Sequence, residues 1–191
     1  MNDLRTKEPR EFVNKYIFDC VPFIFGGNRE NYVQWKQELG LLLQIDSNNI
    51  IIVGSAGIGI SLNPTKNFKE FNAESDIDVA LISSFHFLIS WRYLRSNNHV
   101  RMRLPEYQKN CWIDHEKKYI YWGTIATDKL LGVLPFGRDW MRAVNDLARV
   151  GRTFNRDVKF RIYNDFESLR SYQVKSTADA RFAAMEGERN A

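Results

Sequence analysis

The chain has 191 residues, of which 44% are hydrophobic, 26% charged and 14% aromatic. This excludes a disordered or fibrous chain, and the length fits one domain, not two of ordinary size. The 27 Lys and Arg against 23 Asp and Glu leave a net charge of +4, which permits a polyanionic partner without demanding one.

Residues 1–12, MNDLRTKEPREF, are polar, lack an apolar signal core and are expected to be disordered, as are residues 187–191. Gly26-Gly27-Asn28 signals a turn and a helix start, and Tyr32, Trp35, Leu39 and Leu42 then recur at helical spacing. Asp46 to Asn49 ends that helix. Residues 50–53, Ile-Ile-Ile-Val, read as a buried strand running into Gly54-Ser55-Ala56-Gly57-Ile58-Gly59. After the polar stretch 65–74, residues 75–82 (SDIDVALI) read as a second strand and 85–94 as a helix.

Residues 95–110 read as a basic connection, and 119–122 as a strand or a helix start. Thr124 to Lys129 is expected to be a polar helix turn lining a cleft. Residues 138–150 are helical in pattern, with Trp140, Val144 and Leu147 on one face. In 157–163, Val158, Phe160 and Ile162 alternate with Lys159 and Arg161, the pattern of a half-buried strand. Asn164-Asp165 can cap a final helix from Phe166. The alternation of strands and helices predicts an α+β (α/β-like) fold, a small mixed sheet flanked by helices, in a single domain over 1–191.

The cysteines, Cys20 and Cys111, form no disulfide framework, and with three histidines and no Cys-x-x-Cys they give no zinc site. The longest apolar run, 50–60, is broken by Gly and Ser and is too short for a bilayer. A cytoplasmic, reduced protein with no membrane contact is the expectation.

One segment carries chemistry. Gly54-Ser55 is followed, after a 20-residue spacer (56–75), by Asp76-Ile77-Asp78. In a strand, residues i and i+2 share a face about 6.6 Å apart, so the two carboxylates project together. Adjacent anions repel unless a cation is shared. Mg²⁺ suits one or two carboxylates plus phosphate oxygens, and two metals can hold both the attacking and leaving oxygens at phosphorus. A Gly-Ser turn after a strand lets a phosphate approach the backbone and adds a hydroxyl donor. Gly57 and Gly59 serve either helix packing or phosphate contact. The G-x-x-G-x-G order is not that of a dinucleotide binder, and no Lys-Ser or Lys-Thr completes a Walker A loop.

The stretch VGSAGIGISLNPTKNFKEFNAESDIDVALI resembles the core motif of the DNA-polymerase-β-like nucleotidyltransferase superfamily: a glycine–serine turn, a spacer, then Asp-x-Asp in the next strand. The resemblance implies a Mg²⁺- (or Mn²⁺-) dependent transfer of a nucleotidyl group from an NTP to an acceptor hydroxyl on RNA, protein or a small molecule. It places Gly54 and Ser55 on the triphosphate and Asp76 and Asp78 on the metals. Lys66 and Lys69, in the spacer, are further nucleotide-binding candidates. The superfamily often adds a third carboxylate from a later strand. Asp157 is the candidate, with Asp114 and Asp165 as fallbacks, and Lys159 and Arg161 are alternatively phosphate contacts. Similar stand-alone chains are often toxin–antitoxin or phage-defence components, which implies a protein partner.

Without a third acid, the alternative is a weak or inactive nucleotide-binding or partner-binding module. A nucleic-acid track is a further reading. Residues 92–110 hold five cations against one acid, and 138–161 seven against three.

Overall fold

The computed structural model describes residues 2–149, 151 and 153–189. Four strands, β1 (Ile50–Val53), β2 (Ile77–Ile82), β3 (Thr124–Ala126) and β4 (Val158–Tyr163), form one open mixed sheet in the order β1-β2-β4-β3. β1 and β3 run antiparallel to their neighbours, and the central pair β2–β4 is parallel. The helices are α1 (Asn2–Thr6), α2 (Pro9–Val13), α3 (Arg29–Leu43), α4 (Gly54–Ile58), α5 (Ser84–Ser96), α6 (Asn98–Arg103), α7 (Glu106–Asp114), α8 (Gly137–Arg149) and α9 (Phe166–Arg189). The class is α+β.

Period-two alternation sends Ile50 and Ile52, Ile77, Val79 and Leu81, and Phe160 and Ile162 to one face of the sheet. There they pack against Trp35 and Leu39 of α3, Leu94 of α5, Trp112 of α7, and Trp140 and Leu147 of α8. The opposite face carries Val53, Ala80 and Tyr163. It packs against Val13 of α2, Ile17 of the π-helical turn Asn14–Phe18, and Leu169 of α9. Asn28 caps α3 by accepting the Asn31 N–H at 3.0 Å, and Asp165 caps α9 by accepting the Ser168 N–H at 2.7 Å, as the sequence pattern predicts.

Four regions depart from expectation. Residues 2–13 are not frayed: they form α1 and α2 and pack on α9, with Leu4 and Phe12 buried beside Ala180 and Ala184. Burying such a side chain is worth ~1.5–3 kcal/mol, enough to hold helices too short to persist alone. At the other end, Gly187–Arg189 continue α9, and residues 190 and 191 lie outside the described residues. The basic connection is two helices, α6 and α7, leading into a second π-helical turn, His115–Tyr119.

Thr124 opens strand β3 instead of a helix turn. The free edge of β3 is closed by His115. Its Nε2 accepts the Ala126 N–H at 3.0 Å, and its Nδ1 therefore donates to the Cys111 carbonyl at 2.6 Å. Burial pushes the His115 pKa down.

Candidate functional site

On the α9-covered face of the sheet, each central strand begins polar and ends apolar. β2 presents Asp78, then Ala80 and Ile82; β4 presents Lys159 and Arg161, then Tyr163. The apolar ends lie under α2 and α9, and the polar ends border a cleft of about 250 Å³. Because β1 runs antiparallel to β2, it delivers Gly54 and Ser55 to the same end. Gly54, Ser55, Lys66, Asp78, Lys159 and Arg161 all line this cleft, roofed in part by Tyr172 and Gln173 of α9.

Gly54 is held in the left-handed region (φ +64°), and a Cβ there would lie 2.8 Å from Asp78 Oδ2. The turn and the second aspartate are thus pressed together, as the register pair Val53–Asp78 requires. Only glycine allows both the backbone angle and the close approach. Gly57 and Gly59 resolve towards packing: a Cβ on Gly57 would meet the Ile52 carbonyl, and one on Gly59 the Phe23 ring, each at 3.0 Å.

Asp78 keeps solvent access through the mouth of the cleft while protein walls crowd its carboxylate. Desolvation pushes its pKa up, Asp76 pushes it further, and Arg161, Lys159 and Lys66 pull it back. Asp76 precedes the strand, and its Oδ2 is 2.5 Å from the Lys159 ammonium. That contact is the main reason the Lys159 pKa is raised. The loop before Asp76 is tied down by Arg156, which donates to the Asn72 carbonyl and, at 2.9 Å, to the Ser75 carbonyl, and stacks on Phe71.

Arg161 sits deeper. Its guanidinium donates to the Tyr172 hydroxyl and lies over the rings of Tyr172 and Tyr119, with centroids at 4.9 and 5.5 Å. Its partners thus include the hydroxyls of Tyr172 and Tyr163 and two aromatic faces, with Asp78 contributing at longer range. A cation held this way retains capacity for an anion.

Of the residues singled out by sequence, Gly54, Ser55, Lys66 and Asp78 line the cleft, and Asp76 joins them through Lys159. Lys69 does not: it pairs with Glu74 at 3.6 Å on the exposed part of the loop. Asp157 is exposed, gives its carbonyl to the Ile77 N–H at 2.8 Å, and borders an adjoining hollow with Thr153 and Arg156. Its strand position made it a candidate acid, but strand pairing engages its backbone and the cleft wall begins at Lys159. Asp165 is spent on capping α9, and Asp114 lies exposed on α7.

Among the described residues, the acid that borders the cleft besides Asp78 is Asp128, just after β3. The sequence pattern placed its segment by a cleft but missed the carboxylate, because no local motif surrounds it.

Asp76 and Asp78 are the residues that would hold a divalent ion in this cleft. Among the described residues no three His, Cys, Asp or Glu side chains gather as a metal site.

The two basic stretches are partly neutralised by near neighbours. Arg101 pairs with Glu116, Lys109 with Glu106, Arg142 with Asp139, and Arg149 with Asp146. Among the described residues no helix is long and apolar enough to cross a membrane. Comparison with protein-family models, with curated proteins and with solved structures gave no match.

Proposed function

We propose that the cleft binds a nucleoside triphosphate and that the protein is a nucleotidyltransferase of the DNA-polymerase-β-like type. The observation that carries this reading is the Gly54-Ser55 turn pressed against Asp78 in a cleft lined by Lys66, Lys159 and Arg161. Three cations facing one hollow match a polyphosphate, and the bare Gly54 backbone lets phosphate oxygens approach. Ser55 donates its hydroxyl to the phosphates, while Arg161, preset between two rings, holds a terminal group with its planar fork.

A divalent ion, Mg²⁺ or Mn²⁺, held by Asp76 and Asp78 would offset phosphate charge and polarise the α-phosphorus. An acceptor hydroxyl on RNA, protein or a small molecule attacks that phosphorus, the bond to pyrophosphate breaks, and Asp128 takes the hydroxyl proton. Asp128 thus assumes the role that strand position alone assigned to Asp157.

The Lys159–Asp76 contact favours a second reading, a module that binds nucleotide without turnover. The two are separated by incubating the protein with each α-³²P-labelled NTP, Mg²⁺ and total RNA or lysate. Label transfer that is lost in Asp76→Ala and Asp78→Ala supports the enzyme. Calorimetric nucleotide binding with no transfer under several metals supports the module. A toxin–antitoxin or phage-defence setting, with a cognate protein partner in the cytoplasm, is consistent with either.

A further inference from the structure

We propose that Lys159 is the resident cation of the aspartate pair: its ammonium holds the seat a divalent ion would take, so the free protein excludes metal until a polyphosphate draws that ammonium away. Three observations meet here. The register sets Lys159 directly beside Asp78 on the neighbouring parallel strand. Its Nζ reaches past that neighbour to Asp76 Oδ2 at 2.5 Å. The Lys159 side chain also lines the cleft that Lys66 and Arg161 make cationic.

Two carboxylates two residues apart, with the charge of Asp76 felt at Asp78, favour a counter-charge beside them. A lysine supplies it on a flexible four-carbon stem, so the charge can move without moving the backbone. A triphosphate arriving among Lys66, Lys159 and Arg161 competes with Asp76 for the ammonium. Once the ammonium turns to phosphate, Asp76 and Asp78 regain their need for a cation, and a divalent ion then enters. Nucleotide and metal are thus linked in order, and each raises the affinity of the other. Lys159 is here a positioning residue, acting through Asp76. The exclusion of metal stands independently of the proposed function; the exchange with polyphosphate rests on it.

The first test uses Mn²⁺ alone, titrated into the full chain and followed by electron paramagnetic resonance. Wild type is expected to bind Mn²⁺ weakly. Lys159→Ala is expected to bind it at least about tenfold more tightly, because a positive charge beside the seat is gone. Lys159→Arg should restore exclusion, and Asp76→Asn added to Lys159→Ala should abolish the gain. Lys159→Met, which keeps the aliphatic stem, serves if the alanine variant fails to fold. Equal Mn²⁺ affinity in wild type and the neutral variants, or a gain in Lys159→Arg matching that in Lys159→Ala, would overturn the proposal.

The second test is ATP binding in EDTA, where wild type should bind, Lys159→Ala should bind several-fold less tightly, and Mg²⁺ should narrow the gap. Binding unaffected by Lys159→Ala in EDTA counts against the exchange. Failure of wild type to bind ATP or any of the other three NTPs, with or without Mg²⁺, overturns the nucleotide reading instead, leaving the Mn²⁺ result to judge the exclusion.

Discussion

Replacing Gly54 with alanine probes the contact on which the cleft is built. Two effects are expected, and they can be separated. The backbone at Gly54 has φ +64°, and an L-residue in that region costs roughly 1–2 kcal/mol. For a chain of this size that lowers the melting temperature by about 2–8 °C. Gly27 is the control: its φ is +84° and a Cβ there meets nothing within 4 Å, so Gly27→Ala reports backbone strain alone.

The second effect is specific to Gly54, where the new methyl would lie 2.8 Å from Asp78 Oδ2. A carboxylate rotates more easily than a backbone shifts, so it turns away from the turn. The cost in stability should therefore resemble that of Gly27→Ala, while the ionisation of Asp78 changes. Calorimetric melting gives the first quantity, and ¹³C-detected carboxylate titration gives the second. In the wild type, Asp78 should titrate above the ordinary carboxylate value. In Gly54→Ala it should move back as the carboxylate leaves the crowded wall, whereas Gly27→Ala should leave it in place. An unchanged Asp78 titration in Gly54→Ala would refute the close approach.

Other substitutions test neighbouring parts of the site. Asp76→Asn should lower the Asp78 pKa by removing a like charge, and Lys159→Ala should raise it by removing an opposite one, both read in the same titration. Because folding raises the Asp78 pKa, its contribution favours the native state at low pH and is lost as pH rises through the folded value. Asp78→Asn should therefore melt higher than wild type at pH 7 while losing label transfer. His115 carries the opposite sign. Its folded pKa lies below the ordinary 6.5, so the stability it contributes is present above that value and drains away as pH falls. His115→Ala should flatten this part of the stability–pH curve and, by leaving the Ala126 N–H unpaired, cost about 1–3 kcal/mol, measured by urea unfolding.

Much of the site was readable from the chain because its parts are local or strongly patterned. The β-branched run 50–53, the Gly54-Ser55 turn and the Asp76–Asp78 spacing announce two strands and a shared polar end. The alternation of 158–163 likewise placed Lys159 and Arg161 away from the core. What could not be read depends on contacts distant in sequence. Nothing near Asp128 signals that β3 carries it to the cleft, and nothing near Tyr119 or Tyr172 signals that both rings will hold Arg161. Asp157 looked equivalent to a strand residue, yet the pairing of its carbonyl with Ile77 and its exposure leave it beside the neighbouring hollow. The helices of residues 2–13 were hidden for a related reason: their local pattern is weak, and burial of Leu4 and Phe12 against α9 provides the stability. In the middle of the chain, charge obscured helix. Arg101 and Lys109 look like part of a polyanion track until their partners, Glu116 and Glu106, are seen in space.

Equilibrium binding of a non-hydrolysable NTP analogue, measured by calorimetry on wild type and on Arg161→Ala, addresses the central claim most directly. One molecule bound per chain in the wild type, weakened at least about tenfold when a charge-assisted contact to phosphate is removed, is the expected result. No heat with any of the four analogues, or binding indifferent to Arg161, would show that this cleft is not a polyphosphate site.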